Sequence, residues 1–263
     1  ARWRPNGAAT VVVSGVWPRL TVAARVDLGA AGHIIANGSV DVGGAAPRYA
    51  ATIDLSAVDA SGLIDGSVAT HATGRARVRG HGGRVAYHIA LAPSEIAGQA
   101  LARSWLAGTT RAGVSHVHGS VATTAASARV RARVALGSPP RYRAEAAVDV
   151  GKLDAFVAAV PGRIAGRVRV HGRGLDPSTG GAALEADVAD GVVAGVPLTG
   201  GTLRAAKAGT RVDIAELRLA AAGGQATVSG TLDVVTRAAD LAVDATGDLA
   251  ALGSPLAGTL AVA

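Results

Sequence analysis

Polar and apolar side chains alternate with a period of two residues along most of this chain. From Arg167 to Val170, two arginines lie on one side of an extended backbone and two valines on the other, and Arg129 to Val134 repeats this over a longer stretch. Glycine-rich segments such as Gly43-Gly44 and Gly80 to Gly83 interrupt the alternation. The pattern predicts antiparallel strands with one wet face and one apolar face, joined by tight turns.

Three segments depart from simple alternation. Val212 and Ile214 share one face, but Leu217 and Leu219 lie on odd positions, which predicts a β-bulge near Ala215 and Glu216. Two short helices are predicted elsewhere, one within residues 93–108 and one within residues 154–160. The first rests on the helix-like spacing of Ile96, Leu101 and Trp105, and the second ends at Pro161.

The chain also repeats itself. Pro47-Arg48-Tyr49 returns as Pro140-Arg141-Tyr142, while Gly74 to Arg79 returns as Gly166 to His171 and again as Gly258 to Ala263. Copies at a fixed spacing, here 92 residues between the glycines, are typical of an array whose units pack on their neighbours. We therefore expect residues 1–263 to be an internal fragment of a larger repeat protein, with approximate units at 1–46 (partial), 47–139, 140–235 and 236–263 (truncated).

Strand number limits the architecture. At roughly ten residues per strand and turn, the chain holds on the order of twenty strands, and twisted open sheets rarely pass about ten without curling or splitting. The predicted fold is all-β: an elongated antiparallel meander of tandem repeats curled into a groove (a β-taco), with at most one or two short helices. Ala and Val are expected to form much of its interior, because aromatic residues make up only 3% of the sequence and contribute little to it.

Composition narrows the chemistry further. The absence of cysteine excludes disulfides and thiol chemistry. The net charge is +7, and the charges are unevenly distributed along the chain. The stretch from Gly66 to Leu136 contains nine arginines and one acidic residue, Glu95. A basic stretch of this kind can attract an anionic partner such as lipid headgroups or nucleic acid, but the preferred interpretation is a solvated face that resists aggregation.

No constellation of residues indicates catalysis. His116 and His118 have a spacing that can chelate a metal on a strand, but no cysteine or neighbouring carboxylate completes a ligand set. The glycine-rich segments lack the following helix of a phosphate loop, and no nucleophile elbow frames a serine. The arginines alternate with Ala and Val and not with stacking aromatics, so nucleic acid is not an expected partner. We predict no enzyme activity, no metal and no cofactor.

Several segments resemble a known family. The motif is an Asp-Leu or Leu-Asp turn, a short apolar stretch and a Pro-Gly strand entry, followed by strand pairs rich in Gly, Thr and Leu. The turn, apolar stretch and Pro-Gly entry occur at 148–156 with 160–166, and residues 247–252 with 254–260 resemble them with Pro255-Leu256 in place of Pro-Gly. The strand segments are 200–204, 212–219 and 223–232. These segments resemble the AsmA-like superfamily, and within it the TamB-type inner-membrane component of the translocation and assembly module.

The resemblance implies a function and a location. Such a protein is anchored in the inner membrane, crosses the periplasm, and carries phospholipid or other acyl lipid along its groove between the inner and outer membrane, aiding outer-membrane biogenesis. Its partners would be those lipids and an outer-membrane barrel protein of the assembly module, with membrane contact made through regions outside this fragment. The family has no catalytic residues to carry over. The expected groove lining is therefore the apolar strand positions, namely Val130, Val134, Leu136, Val148, Val150, Val168, Val170, Val212, Ile214, Leu232, Val234, Leu241 and Val243.

One alternative stays open at this level. A structural β-solenoid stalk or surface protein with a packed, ligand-free interior would also show strands, turns and repeats. A solenoid, however, stacks short coils of constant length, often with asparagine ladders, whereas this chain has a long repeat and only two asparagines, Asn6 and Asn37. These observations favour the groove.

Overall fold

The computed structural model describes residues 7–59, 61, 69–96, 99–156, 160–174, 179–233, 235–236, 238–248 and 259–262. Within them the chain forms 19 strands and two single 3-10 turns, at Gly29–Ala31 and Leu153–Ala155. The contacts between Cα atoms divide the chain into two compact units, unit 1 (Ala1–Thr124) and unit 2 (Ala125–Ala263). Each unit is described by itself.

Unit 1 is an antiparallel sheet in which most strands pair with their sequence neighbours. Its strands are β1 (Ala8–Val16), β2 (Arg19–Asp27), β3 (His33–Asp41), β4 (Arg48–Val58), β5 (Thr70–His81), β6 (Arg84–Leu91), β7 (Ser94–Ile96), β8 (Gln99–Leu101), β9 (Ser104–Arg111) and β10 (Val114–Ala122). The sheet runs from β1 through β6 and continues with β9 and β10. The short strand β7 pairs with β5 and with β8.

Unit 2 is an uninterrupted antiparallel meander. Its strands are β11 (Ala126–Ala135), β12 (Arg141–Val150), β13 (Gly162–Arg173), β14 (Gly181–Val193), β15 (Val196–Ala208), β16 (Arg211–Ala221), β17 (Gly224–Asp233), β18 (Ala239–Asp248) and β19 (Thr259–Val262). Every strand from β11 to β19 pairs with the next one in sequence.

These sheets confirm the predicted all-β antiparallel meander. The strands pair as hairpins, unlike the parallel coils of a stacked solenoid. The bulge predicted near Ala215 and Glu216 is also confirmed, because the pairing of β16 with β17 shifts register between Ile214 and Leu217. The strand β13 begins and ends 92 residues after β5, which places the repeated Gly-Arg motif at equivalent positions of the two strands.

The helix predicted within residues 93–108 is wrong. That segment forms β7, β8 and the start of β9. Pairing with the rest of the sheet overrides the helix-like spacing in this segment. Ser104 is 2% exposed, and its hydroxyl accepts a hydrogen bond from the Ala122 N–H (3.2 Å). Leu101 also forms an antiparallel β-bridge with Thr123. The second predicted helix is reduced to the 3-10 turn at Leu153–Ala155, and residues 157–159 lie outside the described part of the chain.

Within the described residues, the apolar face of each sheet is only partly buried. Among the described residues, the hydrophobic side chains that are buried are only Leu28, Ala76, Leu101 and Ala125. The larger contacts between strands all join neighbours within a sheet. Cohesion in the plane of the sheet, through ladder hydrogen bonds and cross-strand side-chain pairs, therefore stabilises each unit more than a packed core does.

All three tyrosines lie directly opposite glycines on an adjacent strand. The pairs are Tyr49 with Gly80, Tyr87 with Gly108, and Tyr142 with Gly172. In each pair the ring covers the glycine, because a Cβ atom added there would collide with the tyrosine side chain. An aromatic ring over a cross-strand glycine restores the packing that the missing side chain would have supplied and helps to fix register.

We expect Gly80→Ala to destabilise the protein by about 1–3 kcal/mol, the range typical of overpacking, since the new methyl group overlaps the Tyr49 ring. The matched control is Gly83→Ala, whose added Cβ meets nothing within 4 Å and whose effect should stay within about 0.5 kcal/mol. Urea unfolding at constant m-value measures both. In the double variant with Tyr49→Ala, Gly80→Ala should cost less than in the wild type, and an equal cost would contradict ring coverage.

Aspartates at strand ends close several turns. Asp27, Asp41 and Asp233 each accept a hydrogen bond from the backbone N–H two residues later (2.9, 3.0 and 2.9 Å), which is the Asx-turn arrangement. The Asp233 carboxylate also accepts from the Thr236 N–H (2.9 Å) and the Thr210 hydroxyl (2.8 Å). These bonds, that from the Thr236 N–H first, lower the pKa of Asp233 to about 2.

Because the folded pKa lies below the ordinary 3.8, ionised Asp233 should stabilise the protein above about pH 4 and lose that contribution as the pH falls towards 2. We expect Asp233→Asn to lower the melting temperature at pH 6 and to match the wild type progressively as the pH approaches 2. Carboxyl-carbon NMR should give the folded pKa directly. A midpoint near 3.8 would contradict the hydrogen-bond network.

Candidate functional site

An unbroken row of apolar residues crosses unit 2 from β11 to β18. Residues directly opposite in an antiparallel ladder share a face, so consecutive pairings trace the row across the sheet. The row, called here the central lane, consists of Val130, Ala146, Val168, Ala186, Leu203, Leu217, Val228 and Val243. With strands spaced about 4.8 Å apart, it is about 34 Å long. All members except Val243 are half-buried.

Parallel rows widen the lane on both sides. One flanking row runs through Ala132, Ala144, Val170, Leu184, Ala205, Ile214, Gly230 and Leu241, and the other through Ala128, Val148, Gly166, Val188, Gly201, Leu219, Ala226 and Ala245. None of these residues carries a polar side chain. At about 6.7 Å between rows, the three rows cover on the order of 450 Å² in plan, as large as the largest apolar patch of a typical monomer.

Unit 1 has an equivalent lane. It passes through Val11, Ala24, Ala36, Ile53, Ala76, Ile89, Leu106 and Gly119. Only Ala76 and Gly119 are buried in it, and Val11 on the edge strand is 59% exposed. The lane is therefore a property of each unit.

Most of the predicted lining residues lie on the apolar face of unit 2. Val130, Val134, Val148, Val150, Val168, Val170, Val212, Ile214 and Leu232 are all half-buried there. Their pairings place them in the central lane or in rows beside it.

The other four predicted residues differ. Leu136 follows the end of β11 and is 59% exposed at the hairpin tip, so its assignment to a strand face is wrong. Leu241 and Val243 share the apolar face but are 46% and 45% exposed, because β19 pairs with β18 only along Ala245–Asp248. Val234 lies outside the described residues.

The sequence did not identify several members of the central lane, because their side chains are small or their strands change register nearby. Ala146 and Ala186 are small, and Leu203 and Leu217 lie on strands whose register shifts beside Ala205 and Ile214. The alternation alone indicates their face, but only the pairing register shows that they join into one row.

A shallow cavity of about 250 Å³ opens on the apolar side of unit 2. Its lining is Val193, Val196, Leu198, Leu219, Ala220, Ala221, Gly224, Gln225, Ala226, Ala245, Thr246 and Gly247. Half of these lining residues are Ala or Gly, and Val193 and Val196 lie at the β14–β15 turn. The shape and the apolar lining suit a flexible hydrocarbon segment and offer no charged group for catalysis.

The opposite face of unit 2 carries a ladder of alternating charge. Consecutive cross-strand partners are Arg131, Glu145, Arg169, Glu185, Arg204 and Glu216. Arg204 and Glu216 approach to 3.7 Å, and Arg218 also contacts Glu216 at 3.1 Å. Such exposed pairs contribute only about 0.2–1 kcal/mol each. Their larger consequence is that the two faces of the sheet differ sharply in polarity.

The remaining candidate chemistry lies on the polar face of unit 1. His116 and His118 are exposed there on β10, and no group of three or more metal-binding side chains occurs among the described residues. Trp105 stacks on His88 at 6.1 Å and meets His118 edge-on at 5.6 Å. Trp105, predicted on a helix, instead belongs to a small aromatic cluster on the face of the sheet opposite the lane.

A scan against protein-family models, a search of curated proteins and a search of solved structures each found no match to this chain. In the described part of the chain, no helix has the length and apolar character needed to span a membrane.

Proposed function

We propose that this chain is a lipid-conducting segment of an envelope-spanning protein of the AsmA-like, TamB type. In this proposal, the apolar faces guide the acyl chains of phospholipids through the periplasm between the inner and outer membrane and so aid outer-membrane biogenesis. The protein is not an enzyme. The observation that carries the proposal is the central lane, which crosses eight strands without a polar side chain.

The lane has the length that this function requires. The hydrocarbon core of a bilayer is about 30 Å thick, so the acyl chains of one leaflet extend roughly 15 Å. A lane of about 34 Å therefore exceeds one acyl chain, and a bound chain can move along it while remaining in apolar surroundings.

The energetics support movement along the lane. Exposing an acyl chain to water costs about 0.8 kcal/mol per methylene, or roughly 12 kcal/mol for fifteen methylenes. A continuous apolar surface removes part of this barrier at every step. Its Ala and Val side chains present little relief, so no single position holds the chain as a deep pocket would.

The incomplete burial of the apolar rows also supports a ligand. A partly exposed apolar face of this extent is unfavourable in water unless something covers it. An acyl lipid is a cover that matches its length and its lack of hydrogen-bonding groups. The alternative, a structural stalk without ligand, would leave the face to be covered by protein.

Photo-crosslinking on adjacent residues tests the proposal. A benzophenone amino acid at Val168 faces the lane, whereas one at Arg169 lies one residue along β13 on the charged face. After incubation with vesicles of radiolabelled phosphatidylglycerol and phosphatidylethanolamine, we expect lipid capture at position 168 to exceed capture at position 169 by about tenfold. Native mass spectrometry should show co-purified lipid. Equal capture at both positions, or protein without lipid, would overturn the proposal.

A further inference from the structure

One end of the unit 1 sheet combines exposed apolar side chains with a row of positive charge. Val16 and Trp17, at the tip of the β1–β2 hairpin, are 83% and 74% exposed. Next to this tip, residues that lie opposite each other on neighbouring strands form a row across the sheet. The row consists of Arg19, Asp41, Arg48, His81, Arg84 and Arg111. This set of residues is called here the Trp17 end.

We propose that the Trp17 end docks on the surface of an anionic lipid bilayer. The inference goes beyond the proposed function, because it concerns a different surface from the apolar lanes and does not require lipid to enter them. The chemistry recognised is a bilayer interface that offers phosphate groups above hydrocarbon.

Charge complementarity favours this partner. The row holds four arginines against the single Asp41, and it extends over six strands, or about 24 Å at the usual strand spacing. Asp41 is already engaged, since its carboxylate accepts from Arg19 Nε at 3.2 Å and from the Gly43 N–H at 3.0 Å. A basic row close to an anionic membrane gains about fivefold in affinity per arginine.

The apolar tip distinguishes a membrane from other polyanions. Tryptophan concentrates at membrane interfaces, where its ring is partly in hydrocarbon and its N–H remains near water. The neighbouring Val16 and Pro18 also gain from such a site, whereas they add nothing to base stacking. Nucleic acid would require several stacking rings along the basic groove, and Trp17 is the one ring of tryptophan, tyrosine or phenylalanine in this row and tip.

The space beside the tip fits a head group. A cavity of about 540 Å³ lies between the hairpin and the β3–β4 loop, lined by Trp17, Pro18, Arg19, Asp41 and Arg48 among others. A lipid phosphate placed there would lie next to Arg48 while Trp17 reaches the interface below it.

Vesicle flotation tests the inference with the whole chain. The probes are vesicles of equal parts phosphatidylglycerol and phosphatidylcholine, and vesicles of phosphatidylcholine alone. We expect binding to the anionic vesicles at about 0.1 M salt and strong weakening at about 1 M, where the Debye length falls from about 10 Å to about 3 Å.

Two sets of variants separate the apolar and basic contributions. Replacing both Val16 and Trp17 by Ser should lower the partition coefficient about tenfold, whereas the control Trp105→Ser should leave it unchanged. The triple variant R48Q, R84Q and R111Q should lower it on the order of a hundredfold. Its control, R129Q, R131Q and R133Q, removes the same charge from β11 and should retain most of the binding.

Circular dichroism verifies that each variant folds. If the double tip variant unfolds, Val16→Asp alone, at a position that is 83% exposed, takes its place. Equal losses from the β11 and Trp17-end charge variants would overturn the inference, as would tighter binding to a single-stranded oligonucleotide than to the anionic vesicles. Loss of lane crosslinking with flotation intact would overturn the proposed function alone.

Discussion

Everything in this molecule depends on the register of its antiparallel ladders. Few of the described side chains are fully buried, so a packed core contributes little to the position of the strands, and a slip of one residue would exchange the two faces of a strand. The apolar rows exist because each pairing brings Val, Leu, Ile, Ala or Gly opposite another such residue. The bulge at Ala215–Glu216 illustrates the constraint. The apolar residues of β16 change there from even to odd positions, and the register shift at the same point keeps Leu217 in the central lane.

Both faces contribute to that register. On the charged face of unit 2, Arg and Glu lie opposite each other from strand to strand, and a slipped pairing would separate partners such as Arg204 and Glu216 and expose the apolar rows to water. The tyrosine–glycine pairs act more locally, because Tyr49 fits over Gly80 and leaves no room for a side chain there. Weak contacts of this kind are individually small, but they all favour the same register and so specify it together.

The sequence alone predicts the strands, their polar and apolar faces and the bulge, because each follows from the spacing of neighbouring residues. It does not predict the lanes, because they depend on the pairing register of each successive hairpin, which the alternation within a single strand does not give. Trp105 shows the limit: its local spacing fits a helix, yet it pairs with Ser120 on β10 and stacks on His88. Leu136 shows another, since alternation continues past Ala135 although the strand ends there.

The modest size of the lane side chains connects the fold to the proposed function. A large aromatic residue would create a preferred site for a hydrocarbon chain, and a charged one would interrupt the row, whereas Ala, Val, Leu and Gly give a surface of nearly uniform affinity. The same side chains bury less surface than aromatic residues would, so they favour a thin layer over a thick core. One choice of residues therefore has two consequences, a sheet held mainly within its own plane and an apolar face left available. A function that uses this face tolerates most apolar exchanges within it and is sensitive chiefly to a buried charge or a shift in register.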